Sequence, residues 1–414
     1  MRVRSFTTLI ACVATTLVAG TAAAVPDPAA AQARSAAPDR NAVSASRASL
    51  AGEVDHWGSF FGDHITGDED RTLLPAGITF PDSAPVKQVG SSNSTQYALL
   101  TDGTLWAWGQ GGNGQLGNGS TANSFTTPVR VRFPSKVKIA RIPADAMPYN
   151  TGLAVDTNGS AWGWGLNKQG SLCLGNTSQF TRPQLLPLAA PVTALAGAQG
   201  HAVYDAAGQV LSCGDDIFGV LGDGSRRNIS HDTPVAVKGI TRRHIIALVS
   251  SWGNAGALLG NGDYYDWGYN ASGQLGDGTL APSNVPVLVH LPLPVTQVTQ
   301  GGGSPQNGQT LVELSDGSFR SWGNDKWGQL GDHGLGMQTT PIRFRPPAGV
   351  SYAVLASGGA ASYAISATGG VYAWGSGHAG QIGNGGKATV ATPVLVDSGA
   401  GVISTTAEDV VVGP

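Results

Sequence analysis

The sequence predicts an all-β, seven-bladed β-propeller whose last blade is completed by segments from both ends of the chain. Three observations predict it. A repeat returns every 49 to 56 residues; the composition suits short strands and tight turns; and the C-terminal end stops short of a full repeat.

The repeat is a Trp-Gly pair, four intervening residues, Gly-Gln-Leu-Gly, then Asn or Asp followed by Gly. It is plainest at Trp108-Gly109 with Gly114-Gln115-Leu116-Gly117, and at Trp267-Gly268 with Gly273-Gln274-Leu275-Gly276. It returns at Trp322-Gly323 with Gly328-Gln329-Leu330-Gly331, and at Trp374-Gly375 with Gly380-Gln381-Ile382-Gly383. Two copies diverge. Trp164-Gly165 is followed by Gly170, Leu172 and Gly175, which reads as a two-residue insertion around Cys173. In Cys213-Gly214, cysteine stands where the other copies have tryptophan. The seventh copy, Trp57-Gly58, is recognised by fixed offsets. A glycine lies five residues before every anchor (Gly52, Gly103, Gly159, Gly208, Gly262, Gly317, Gly369). A proline lies about nineteen after it (Pro75, Pro128, Pro183, Pro234, Pro286, Pro341, Pro393).

Each element of the unit has a local cause. Asp102-Gly103, Asn158-Gly159, Asn261-Gly262 and Asp316-Gly317 read as hairpin turns, where positive φ costs little. They separate apolar runs such as Tyr97-Ala98-Leu99-Leu100 and Leu105-Trp106-Ala107-Trp108. The Thr127-Pro128-Val129 type of segment starts a further strand at an exposed edge, since proline has no ladder donor. About four strands per unit make one blade. The recurrent tryptophan is expected at the end of an inner strand, filling the space between blades.

Gly 60 and Pro 24 make up about a fifth of the chain, while charged residues are only 12%. After Trp374 forty residues remain. Their apolar runs Val402-Ile403-Ser404 and Val410-Val411-Val412 read as middle strands of a repeat without its own Trp-Gly. The segment Ala51 to Gly58 supplies the missing piece, and a ring so closed has no unpaired edge between its ends.

The N-terminal residues read as an export signal over residues 1–24. Arg2 and Arg4 give the positive start, Phe6 to Ala24 is almost uncharged, and Ala22-Ala23-Ala24 offers small residues for cleavage, with Ala31-Gln32-Ala33 as a later alternative. Leu9-Ile10-Ala11-Cys12 resembles a lipoprotein cleavage box, but a very short apolar stretch precedes it. Residues 25–50, rich in Ala, Ser and Arg, form an expected flexible linker to the propeller at 51–414. No long apolar span recurs, so no membrane crossing is expected. From Ala51 onward 19 basic side chains face 25 acidic ones, a balance that disfavours nucleic acid. Cys173 and Cys213 lie in adjacent repeats. Export permits a disulfide between them, and two free thiols are the alternative.

These repeats resemble those of the regulator-of-chromosome-condensation family over nearly all of residues 51 to 414, in the form of a secreted bacterial-type member. The resemblance implies the propeller and, more weakly, protein binding, because one architecture hosts many activities. Some bacterial relatives look like secreted inhibitors that clamp β-lactamases on a loop rim. The family's nuclear member exchanges nucleotide on a small GTPase and touches chromatin, and an exported acidic chain has no access to that partner.

Function is expected on the loops that follow each Trp-Gly. Phe60, Phe61, Phe218, Tyr269, Trp327 and His378 occupy these loops in consecutive blades, which predicts an aromatic crescent on one rim. Such a crescent suits an extracellular protein partner or a sugar ring; the alternative is that these rings only cap their own blades. Asp63, His64, Asp68, Glu69 and Asp70 form an acidic run that reads as a solvated loop or a cation site, without the order of a calcium loop. The four Glu are scattered, the His lack metal-ligand spacing, and neither a nucleophile elbow nor a phosphate loop occurs. The expectation is a non-catalytic, monomeric binding protein that needs no cofactor. A carbohydrate-binding or carbohydrate-cleaving propeller and a purely structural surface module are the alternatives.

Overall fold

The computed structural model describes residues 53–59, 71–144, 147–225, 229–240, 243–405 and 409–414. The expected export signal and linker lie outside these residues, as do Phe60, Phe61 and the acidic run from Asp63 to Asp70.

Twenty-eight strands form seven four-stranded antiparallel sheets, the predicted blades. In the first blade the strands are Val86–Ser92, Thr95–Leu100, Leu105–Gly109 and Ser124–Arg130, running outward from the ring axis. The first strands of neighbouring blades pack on one another around that axis. Thr95–Leu100 is buried at every residue, because neighbouring blades cover both its faces. The core therefore lies between blades. Tyr97, Leu99 and Leu116 of the first blade join Ile139, Ala154 and Trp164 of the second in one cluster.

Turn chemistry sets the hairpins, with one difference from expectation. Gly103 takes φ 82° and its N–H donates to the Leu100 carbonyl at 3.0 Å, while Asp102 keeps negative φ. This is a type I turn with a glycine bulge; Asp102 serves by accepting the Thr104 N–H at 2.8 Å. The Ala207-Gly208 pair, with φ 51° and 79°, makes the primed two-residue turn. Pro128 does not start the outer strand but lies inside it. The ladder there jumps from Gly109↔Ser124 to Ala107↔Val129, so the proline, itself buried, occupies a bulge of the edge strand.

The closing blade has Val402–Thr405 innermost, then Asp409–Gly413, Glu53–Ser59 and Arg71–Thr79. The two C-terminal strands are thus the first and second of their blade, not its middle pair, because the N-terminal segment supplies both the third and fourth. Trp57 pairs with Val410 and Asp55 with Val412 across the seam.

The recurrent tryptophan sits on the third strand of its blade, not the inner one, and reaches into the blade before it. The indole N–H of Trp164 donates to the Gln115 carbonyl at 2.7 Å, and that of Trp322 to Gln274 at 2.8 Å. Trp57 closes the ring by the same bond, to the Gln381 carbonyl at 3.0 Å. The second glycine of Gly-Gln-Leu-Gly makes room for this indole. A Cβ at Gly117 would lie 2.8 Å from Trp164 Nε1, and one at Gly383 would lie 2.6 Å from Trp57 Nε1. These glycines also hold φ of 64° and 76°.

One junction is built differently. Cys173 follows Trp164 by nine residues, as Gly117 follows Trp108. Its N–H donates to Gly170 as that of Gly117 does to Gly114, and Gly175 bonds Asp232 as Gly119 bonds Thr181. There is no insertion: Cys173, at φ 56°, replaces the glycine, and Cys213 replaces the tryptophan that would have touched it. The two are joined as a disulfide with Cα atoms 5.5 Å apart. Closing a loop over 40 residues of separation stabilises by about 4 kcal/mol on a chain-entropy reckoning, comparable to a buried tryptophan.

The double variant Cys173→Gly/Cys213→Trp is expected to restore the standard junction, with a Tm within a few degrees of the parent. Cys213→Trp alone pushes an indole against the Cys173 side chain and should lose roughly 1–3 kcal/mol in urea denaturation. At the seam, Trp57→Ala should cost roughly 3–5 kcal/mol by the same measurement; a loss below 1 kcal/mol would show that the ring does not depend on this lock.

Candidate functional site

Among the described residues, the first-to-second-strand loops and the loops after Trp-Gly lie on the same face of the ring. The register fixes this: in the third blade His201, which starts the second strand, pairs with Gly214, which ends the third. At the centre of that face is a depression of about 240 Å³ to which all seven blades contribute, through Asn93, Tyr149, Gln199, Ser251, Gln300, Gly358 and Thr405. Among the described residues no charged side chain lines it. Amides, hydroxyls and backbone groups therefore set its chemistry.

Below this mouth the polar groups are buried. His201 is 2% exposed and shares a 2.8 Å hydrogen bond with Ser250 Oγ; burial pushes its imidazole down to about 4, so it is neutral at physiological pH. Gln300 donates to Asp266 Oδ2 at 2.6 Å and to Tyr264 Oη at 2.9 Å. Burial raises the Asp266 carboxyl well above the usual carboxylate range. Among the described residues no three His, Cys, Asp or Glu side chains come together as a metal ion would require. Likewise no helix among them is long and apolar enough to cross a membrane.

The expected crescent resolves into two pairs. Phe218 and Tyr269 touch with ring centroids 4.4 Å apart, and Trp252 joins them at 6.3 Å from Phe218. All three are half-buried. Farther round, Trp327 and His378 meet edge to face at 4.5 Å, with Lys326 Nζ 4.8 Å from the indole centroid. Phe60 and Phe61 fall outside the described residues. Phe218 is held at φ 66°, a conformation uncommon for a bulky side chain, within the turn Ile217–Gly219.

Trp252 escaped the repeat-based reading because it belongs to a first-to-second-strand loop. Its Trp252-Gly253 dipeptide lacks the Gly-Gln-Leu-Gly that marks an anchor. It also lines the central mouth and so links the aromatic group to it.

A second feature is a recurrent residue inside the four that follow Trp-Gly. The third position after the anchor is Asn167, Asp216, Asn270 or Asp325 in four blades. Each carboxyl or amide oxygen accepts the backbone N–H of the motif leucine, at 3.0, 3.2, 3.0 and 2.8 Å respectively. This side chain fastens the loop that carries the aromatics. The signal was a fixed offset, visible in the sequence once the blades are superposed.

Asp325 shows what the lock costs when it is a carboxyl. Burial, followed by the nearby Asp332, raises it to about 7. A raised folded-state value favours the protonated form, so this group's contribution is fully present below pH 3.8 and is lost as pH rises through 7. Asp325→Asn copies the amide of Asn167 and Asn270. Relative to the parent, the variant should gain stability between pH 5 and pH 8, by up to about 3 kcal/mol, read from Tm against pH. Parallel profiles would refute the assignment.

A family model for the "Regulator of chromosome condensation (RCC1) repeat" matches residues 102–144, 261–304 and 368–413. Each matched segment runs from a hairpin glycine through the outer half of one blade into the next, so the unit of sequence spans a junction. The ultraviolet-B receptor UVR8 of Arabidopsis thaliana is 26% identical over 336 residues, covering 80% of this chain and 74% of that protein. The mitochondrial RCC1 domain-containing protein RUG3 of the same plant is 28% identical over 329 residues, covering 75% and 70%. Among solved structures, Prp20p of Saccharomyces cerevisiae superposes with a TM-score of 0.73 at 19% identity, over 89% of this chain and 92% of that one.

Proposed function

Because the chain is a seven-bladed propeller of regulator-of-chromosome-condensation repeats, we propose that it is an exported, non-catalytic protein that binds a protein partner through the loop face around its central mouth. The observation that carries this reading is the half-exposed Phe218–Trp252–Tyr269 cluster beside a mouth whose described lining is amide, hydroxyl and backbone. Aromatic anchors on rigid loops make good contact centres, since little side-chain freedom is lost on binding. Buried Asp216 and Asn270, which fasten the loops of Phe218 and Tyr269, supply the rigidity. Prp20p, which shares the architecture, has binding properties to Gsp1p and histones. Architecture of this kind can therefore present protein-binding surfaces.

Export is supported by the sequence from Arg2 to Ala24 and by the Cys173–Cys213 disulfide, which an oxidising compartment sustains. Occlusion of a secreted β-lactamase, the role that some bacterial relatives imply, is one form such binding would take. It would be read as loss of turnover on adding this chain.

The test is capture from the native extracellular medium using the chain from Ala51 onward. Phe218→Ala/Tyr269→Ala should weaken retention of the captured protein at least tenfold with a Tm within a few degrees of the parent. Unchanged retention would remove the loop face from the proposal. A second reading, binding of a neutral sugar, is favoured by the amide- and hydroxyl-lined mouth with an indole at its edge. Retention on a glycan array with no captured protein would select it.

A further inference from the structure

The opposite face of the ring carries a feature that the loop-face reading leaves unused. Residues 83–191, the first two blades, hold eight basic side chains against three acidic ones, whereas residues 192–414 hold ten against fifteen. The molecule is electrically divided, and the positive part is concentrated further. Arg130, Arg132, Lys136, Lys138 and Arg182 all line one groove of about 420 Å³ between the outer parts of these blades. All five are exposed. Asp102, 4.0 Å from Lys138, is the one acidic partner they have among the described residues.

The groove is shaped by its backbone. Lys138 lies along Gly103, where a Cβ would meet its Cβ and Cδ at 3.2 Å. The Arg182 side chain crosses Gly119, where a Cβ would lie 2.7 Å from its Nε. Both cations thus occupy positions that only glycine leaves open. Lys136 sits at φ 73° in the turn closed by Val137 N–H to Pro134 O at 3.3 Å, a place that glycine would fill at lower cost. Phe133 and Pro134 add apolar surface to the same wall.

We infer that this groove binds a segment of an acidic polysaccharide, its sulfate or carboxylate groups meeting the five cations and its ring faces meeting Phe133 and Pro134. Converging like charges in a concavity raise the local potential and the local concentration of anions. A duplex nucleic acid fits the surface less well. It is stiff, carries one charge per about 1.7 Å, and would extend over blades whose net charge is negative. A flexible polysaccharide can enter the groove and turn away.

The test measures binding of the chain from Ala51 onward to dextran sulfate and to polygalacturonate, which separates sulfate from carboxylate recognition. Neutral dextran, poly-glutamate and duplex DNA serve as comparisons. Binding to at least one acidic polysaccharide is expected, weakening about tenfold or more from 50 to 200 mM salt. Arg132→Glu/Lys136→Glu should weaken it at least tenfold. Lys238→Glu/Arg345→Glu reverses two charges elsewhere, Lys238 standing in the third blade where Arg132 stands in the first, and should change it less than twofold. The Phe218/Tyr269 variant should bind as the parent does, which keeps this site independent of the loop face. Equal binding of neutral dextran, tighter binding of poly-glutamate or DNA than of either polysaccharide, or an unaffected groove variant would overturn the inference.

Discussion

One contact organises the molecule: in five of the seven blades an indole on the third strand lies against a left-handed glycine of the blade before it. Its N–H satisfies a carbonyl that the turn leaves pointing into the junction, as at Trp267 to Val220 and Trp374 to Gln329. The glycine has no substitute while the indole is present. A Cβ at Gly276 or Gly331 would stand 2.7 or 2.8 Å from the indole nitrogen. Sheet hydrogen bonds hold each blade together, but they do not cross junctions. Burying wholly inaccessible tryptophans between blades is what joins independent sheets into a ring.

The disulfide is best understood as a coupled exception to that contact. Replacing tryptophan by cysteine at position 213 removes the indole that demands glycine, and a side chain then fits at position 173. Replacing only one partner would leave either a void or a clash. A covalent bond between the two new side chains restores a link across the junction. The Tyr204 hydroxyl, on the second strand of the following blade, donates across this junction to the Ser171 carbonyl at 3.0 Å. That carbonyl is therefore satisfied across the junction without the indole.

Much of the ring was legible because spacing survives where residue identity does not. The offsets of Gly52 and Pro75 revealed Trp57 as an anchor, and the incomplete final repeat implied the shared blade. What the periodicity could not show was depth within a blade, since strands two and three read alike as short apolar runs. The tryptophan was therefore placed on the wrong strand, and the C-terminal valines one position too far out. The reading around Cys173 failed because Gly175 was aligned with Gly117, although Gly119 is its counterpart. Of the site, the pairing of Phe218 with Tyr269 was accessible from equivalent loops. Trp252 was not, because its contact is made across two kinds of loop that only the ring brings together.

The two faces differ for reasons already present in the blade. In four blades the loop after the anchor is pinned by a buried Asn or Asp, which holds the rings of Phe218, Tyr269 and Trp327 at fixed positions. The link from Val131 to Lys138 on the opposite face is held by fewer internal bonds and carries charge instead. A rigid aromatic surface favours a partner of defined shape, and a charged groove favours a flexible one attracted over distance. Nothing in the fold requires the two ligands to compete, since the blades separate the surfaces. On these two proposals, a chain of this design would hold a protein on one side while its other side is anchored to a polymer.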